Sequence, residues 1–258
     1  MPGKGFHCTK LGGVCSLREY AQTVVEGPPT VAPTGSLRTT CPYRFLEDGE
    51  IFKWVAEVLL GTTAPLVLRE IGFLEAVGGG DVGCVDHVLI HPARQPLNWC
   101  ALEIQAVYFS GANMGAEFDT LKHDLSALPF PVADRRPDYR SSGPKRLMPQ
   151  LQIKVPSLRR WGKKMAVVVD EDFFAALGAR DDVGDVSNCD IAWFSVHYEE
   201  WGGTALLRRG SHRFTTLERA VEGLTGGRPV SLGRFEETIG VRLRKQYPER
   251  AASLGFGR

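Results

Sequence analysis

No uninterrupted apolar run anywhere in this 258-residue chain approaches the length of a membrane span, and the opening Met-Pro-Gly-Lys-Gly carries no apolar core. A spanning helix needs about 20 predominantly apolar residues, and a secretory leader needs an apolar stretch behind its basic start. The expectation is a cytoplasmic protein with no membrane partner. Net charge is nearly absent too, at a formal +1. That excludes a polycation, so any nucleic-acid binding has to come from local clustering. Internal repeats and low-complexity tracts are missing, which excludes a solenoid or a disordered array. Six cysteines are present without any Cys-x-x-Cys pair. In a reducing compartment they are buried, metal-bound or reactive rather than paired as disulfides.

What is there suffices for one sizeable domain, with 43% hydrophobic residues. Residues 1–44 are rich in Gly, Pro, Thr and Cys and show no sustained period, so they read as a loop-dominated segment needing an internal staple. Residues 45–258 read as the main domain. From Asp48 to Leu60, Ile51, Phe52, Val55, Val58 and Leu59 recur at helical spacing, with Asp48 as the cap and Gly61 as the stop. Residues 65–74 are strand-like, and Gly78-Gly-Gly turns the chain into a strand holding Asp86. A helix is expected over 113–125 and an irregular connection over 128–144. A further helix over 147–164 should start late at Pro149 and be kinked or interrupted at Pro156. Strands at 165–169 and 191–198 and short helices at 215–224 and 235–244 complete an α/β order, a mixed sheet sandwiched by helices. Cys84, Cys100 and Cys189 lie in apolar strand-like segments, where a cysteine behaves as a small core hydrophobe.

The chemistry concentrates in Cys84-Val-Asp86-His-Val-Leu-Ile-His-Pro and, after a polar break, Trp99-Cys-Ala-Leu-Glu103-Ile104-Gln105. Val88 to Ile90 and Trp99 to Leu102 flank a connection rich in Pro, Arg, Gln and Asn, as in a β-hairpin with a long loop. Strand alternation puts Glu103 and Gln105 on one face and Ile104 on the other. Asp86 on the partner strand can meet them. Such a carboxylate pair suits a hard divalent cation such as Mg²⁺; the competing reading is two solvated carboxylates on a sheet edge. Glu70 is a candidate outer-sphere or second-metal carboxylate, or else a surface partner of Arg69. Glu75 is less favoured because it adjoins the glycine turn. His87 and His91 flank the motif, either as structural hydrogen-bonders or as ligands.

Asp86 followed by Glu103-x-Gln105 resembles the PD-(D/E)xK nuclease pattern in the variant where Gln replaces Lys. Together with Gly-Val-Cys-Ser near the start, Cys-Pro-Tyr-Arg-Phe before the first helix, Leu-Glu-Ile-Gln and the basic run 145–164, it is similar to the NotI-type restriction endonuclease family over about residues 7–175. The resemblance implies a Mg²⁺-dependent, sequence-specific double-strand DNA endonuclease of type II, with Asp86 and Glu103 on the metal. Gln105 would orient the attacking water or the phosphate, since it cannot serve as a general base. The family has a four-cysteine metal site, of which Cys8, Cys15 and Cys41 match three positions; the fourth is missing unless His7 substitutes or the gene starts further upstream. The implied structural metal is Fe or Zn.

Residues 145–164 hold seven cations and no acid: Lys145, Arg146, Lys154, Arg159, Arg160, Lys163 and Lys164. A solvated helix face would normally intersperse acids, so the run is read as phosphate contacts, for which Arg offers bidentate hydrogen bonds. Arg135, Arg136 and Arg140 are candidates for base-edge readout and fit a G·C-rich site. One Asp86–Glu103–Gln105 set per chain cuts one strand, so a homodimer on a palindromic site is expected. The rival readings are a repair or recombination nuclease of the same fold and a non-catalytic, metal-stapled DNA-binding protein.

Overall fold

The computed structural model describes residues 15–19, 21–23, 30–32, 35–111, 114–123, 130–131, 135–177, 182–202, 204–225 and 230–255. The chain forms two compact units, Met1–Gly226 and Gly227–Arg258.

The first unit opens with four three-residue strands, β1 (Ser16–Arg18), β2 (Ala21–Thr23), β3 (Thr30–Ala32) and β4 (Leu37–Thr39). β1 pairs with β4 and β2 with β3, both antiparallel. Three residues are too few to imprint a period on the sequence, which is why this segment reads as loop. A 3-10 stretch then leads into α1 (Glu50–Leu60). There follow β5 (Leu66–Glu75), β6 (Asp81–Ile90), β7 (Trp99–Ile104), α2 (Gly115–His123), α3 (Tyr139–Ser142), a π-helical turn and α4 (Met148–Arg160). β8 (Met165–Asp170), α5 (Glu171–Ala176), β9 (Ile191–Trp201), β10 (Thr204–Thr215) and α6 (Leu217–Thr225) complete the unit. The second unit consists of α7 (Leu232–Gln246) and α8 (Pro248–Ser253).

The expected mixed sheet flanked by helices is present. Its six strands run in the order β10-β9-β8-β7-β6-β5. β6 runs antiparallel to both β5 and β7, β7, β8 and β9 are parallel, and β10 returns antiparallel. β8 is buried along its whole length, as a central strand covered on both faces must be. On one face α1 packs Ile51, Val55 and Leu60 over Leu89, Leu102, Val168 and Phe194. On the other, Leu151, Val155 and Leu158 of α4 and Ala220 and Leu224 of α6 cover Ala101, Met165, Val167 and Trp193.

Local details depart from the sequence reading in several places. α1 is entered through left-handed Gly49, φ 65°, with no side-chain cap, so Asp48 does not fill the capping role; Gly61, φ 72°, ends the helix as expected. Pro149 stands in the first turn of α4, which runs on from the π-helical turn through Leu147 and Met148 in helical conformation. Pro156 sits inside the helix without interrupting it. Gln152, whose carbonyl loses its N–H partner there, and Pro156 itself both lie on the exposed side, where water can replace the missing bond. α3, α5, β10 and α8 are not marked by the sequence pattern, and Cys84 is exposed on β6, whereas Cys100 and Cys189 are buried as expected of small core hydrophobes.

The N-terminal strands are tied to the sheet by polar contacts. Thr39 is held three ways: its N–H donates to Asp170 Oδ2 at 3.4 Å, its carbonyl accepts from Val107 N at 2.8 Å, and its hydroxyl shares a 2.5 Å hydrogen bond with Tyr198. Arg18 forms a bidentate pair with Glu200, and Arg38 pairs with Glu19 and Asp172. These contacts supply much of the tethering that a loop-rich segment otherwise lacks.

Candidate active site

Register brings the carboxylates together. β6 and β7 pair His87 with Leu102 and Val88 with Ala101, so one step further along the hairpin Asp86 faces Glu103. β5 and β6 pair Arg69 with His87 and Ile71 with Val85, which sets Glu70 level with Asp86. Three acids therefore share one row across β5, β6 and β7. Glu70 breaks the row's regularity with a left-handed φ of 53°. A non-glycine residue in that conformation costs on the order of 1–2 kcal/mol and turns its side chain away from the ordinary strand direction.

Alternation then selects the face. Ala101 belongs to the core beneath α4, whereas Leu102 and Ile104 belong to the core beneath α1, so Glu103 points toward α4. There it meets Lys154, whose Nζ lies 2.6 Å from Glu103 Oε2 and 3.4 Å from Asp86 Oδ1. The side chains of Lys154 and Glu103 are 4% and 8% exposed, while that of Asp86 is 47% exposed. The pair is thus closed on the protein side and open to solvent at Asp86. Burial pushes the Glu103 carboxyl up to about 7, against the opposing pull of the Lys154 ammonium, and neighbouring Asp86 adds to the rise.

The remaining candidates separate. Gln105 follows β7; its N–H donates to Val168 O at 3.0 Å and its side-chain amide donates to Ala106 O at 2.6 Å. His87 lies on the opposite face, 5.3 Å from the Phe52 ring, with burial lowering its pKa. His91 Nδ1 accepts from Ala93 N at 3.1 Å within the β6–β7 connection. Glu75 stands opposite Asp81 beside the hairpin turn. Among the described residues no three of His, Cys, Asp and Glu are grouped closely enough to hold a metal ion. The donor set at Asp86 and Glu103 nevertheless fits a hard cation, because carboxylate oxygens from two strands converge on one positive charge, for which the ammonium stands in.

Cys8 and His7 lie outside the described residues. Cys15 is exposed and Cys41 buried. The carbonyl of Cys15 accepts from Thr40 N at 3.1 Å, which sets the two cysteines on adjoining backbone.

In the basic run the structure supplies the acids that the local sequence omits. Arg159 pairs with Asp190 and Glu218. Lys164 donates to the carbonyls of Ser187 and Cys189. Lys163 donates to Leu97 O at 3.3 Å and lies over the Trp99 ring, Arg160 donates to Ser157 Oγ at 3.1 Å, and Arg146 stacks on Tyr108 at 3.6 Å. Lys145, Arg146 and Arg160 are exposed. Arg135 pairs with the buried Glu117, whereas Arg136 and Arg140 are exposed. Lys154 is the residue whose place sequence reasoning missed. The signal was available: Leu147, Leu151, Val155 and Leu158 mark the apolar stripe of this helix, and Lys154 falls on it.

Among the described residues no helix is long and apolar enough to cross a membrane. No curated protein matches the chain. Residues 2–206, from the cysteine-bearing start through the hairpin, α4 and the central strands, match the family described as restriction endonuclease NotI. With most of its length covered by that match, and with the paired carboxylates and the basic helix inside it, the chain belongs to the NotI restriction endonuclease family, a family of DNA-binding nucleases.

Proposed function

We propose that the protein is a Mg²⁺-dependent type II endonuclease of the PD-(D/E)xK fold, acting in the cytoplasm as a homodimer that cuts both strands of a palindromic, G·C-rich DNA site. The observation that carries this reading is the convergence of Asp86 and Glu103 oxygens on one cation at a solvent-open point of the sheet. Asp86 and Glu103 would hold a divalent ion there, and that ion would supply Lewis-acid stabilisation of the charge developing on the phosphate and lower the pKa of a bound water. Gln105 presents an amide that can orient the attacking water or the phosphate once it exchanges its hydrogen bond to Ala106. Glu70 acts from the outer end of the row.

Lys145, Arg146, Arg160 and Lys163 are the members of the basic run best placed for the phosphate backbone, with Arg159 and Lys164 committed mainly to the protein. Arg136 and Arg140 are the base-reading candidates and support the G·C-rich assignment. Residues 1–44 act as a structural unit on the 45–258 endonuclease domain, with Cys8, Cys15 and Cys41 holding Fe or Zn. Support comes from the adjoining backbone of Cys15 and Cys41 and from the suitability of thiolates for such ions.

Incubating the protein with Mg²⁺ and genomic DNA and sequencing the new ends tests the proposal. Ends sharing a palindromic consensus are expected. Nicks alone, ends without consensus, or no cleavage would overturn it.

A further inference from the structure

Lys154 is spent on neither phosphate nor packing alone. Its ammonium is buried at the meeting point of Asp86 and Glu103, delivered there by the apolar stripe of α4. Two carboxylates forced together in a half-dry site repel each other, and an ammonium between them removes that repulsion. The same arrangement obstructs a second cation, because Asp86 Oδ1 and Glu103 Oε2 already face an ammonium and its positive charge repels another ion brought to them.

We infer that Lys154 is the resident counter-cation of the candidate catalytic pair, a positioning residue that holds Asp86 and Glu103 at one point in the metal-free protein and competes with the divalent ion for them. The inference rests on the nuclease reading of the site. Its consequence is a charge balance. With both acids ionised, two carboxylates and one ammonium leave one net negative charge, which a divalent ion converts to one net positive charge. Lys154 therefore leaves the loaded site complementary to a single phosphodiester, whereas the same site without it would be neutral and indifferent to one. The Asp86 side, being open to solvent, is where the incoming ion reaches the pair; the Lys154 side is sealed by Leu151, Val155 and Leu158.

The test is Ca²⁺ binding to the full chain by titration calorimetry, without DNA. Lys154→Met and Lys154→Gln should each bind Ca²⁺ at least about tenfold more tightly than the unaltered protein, since a like charge beside the ion is removed. A merely structural lysine predicts the reverse, because its loss loosens the pair. Asp86→Asn should weaken binding by at least about tenfold. Lys154→Gln, which keeps a donor toward Glu103, covers the case in which Lys154→Met does not fold. Unchanged or weaker Ca²⁺ binding in the folded Lys154 variants, with Asp86→Asn still weakened, overturns this inference and leaves the site intact. Binding that Asp86→Asn does not alter overturns the metal-site reading itself.

Discussion

Replacing Asp170 with Asn should reverse its effect on stability between mild acid and neutrality. Asp170 ends β8, caps α5 by accepting from Phe173 N at 2.7 Å, and accepts from Thr39 N at 3.4 Å. Burial nevertheless pushes its carboxyl from an ordinary 3.8 up to about 6. Because the folded state holds this proton more tightly than the unfolded chain, the protonated group's contribution is fully present below about pH 3.8. It is lost as pH rises to about 6, after which the ionised form costs the fold about 3 kcal/mol. Asn has the same shape and cannot ionise. It serves as a cap nearly as well as Asp, but its amide offers one acceptor where two are used, so the Thr39 bond is lost at about 1–2 kcal/mol. Asp170→Asn should therefore be less stable than the unaltered protein by about 1–2 kcal/mol at pH 4, and more stable by a similar margin at pH 7, where about 3 kcal/mol of ionisation cost disappears. Urea unfolding at several pH values between 4 and 7 measures the difference. A difference constant across that range, or one moving against the variant as pH rises, would refute the burial argument.

The other predictions concern the nuclease reading. Asp86→Asn and Glu103→Gln should each reduce cleavage at least about a hundredfold while leaving DNA affinity within a few-fold, because each removes a metal donor and no phosphate contact; cleavage by both at the unaltered rate rules out this site. Neutralising Lys145, Arg146, Arg160 and Lys163 together should flatten the slope of log K against log salt by up to about 0.9 per lost contact. Arg159→Gln, by contrast, should act on stability through Asp190 and Glu218; a slope in the fourfold variant equal to that of the unaltered protein would show that the run does not touch DNA. Protein prepared without oxygen should contain Fe or Zn by elemental analysis, and none at all would remove the N-terminal metal segment. Sedimentation at cleaving concentrations should give a dimer, and a monomer that only nicks refutes the symmetric cut.

The hairpin was legible because two independent periods agree there: alternation fixed which side chains share a face, and the polar break marked the turn. The helix spacing of α1 was equally plain, though its entry was not, since Gly49 takes the left-handed conformation that the sequence reading left to an Asp48 cap. β10 escaped because Thr204 to Thr215 carries Arg208, Arg209, His212 and Arg213 along an edge strand, with a register shift between Arg209 and His212 that breaks its alternation. The Gly-Gly after Trp201 was the signal that could have found it. Lys154 escaped for the opposite reason. Along the chain it is one of seven cations in a linear cluster, while the helical period turns it away from the others, toward the core.

The order in which the site's charges reach one another follows from where they lie in the chain. Asp86 and Glu103 belong to one hairpin closed by residues 91–98, and hairpins form in about 1–10 μs. Lys154 lies 51 residues beyond Glu103, a length that a ribosome adds in roughly 3–10 s at ordinary speeds. During synthesis the two acids can meet long before their ammonium exists, and they must then remain solvated, protonated or apart. When α4 docks it brings both the apolar stripe that covers β7 and β8 and the charge that lets Glu103 be covered. The late helix thus both completes the core and makes burial of the early carboxylate tolerable, so the site closes only as the domain does.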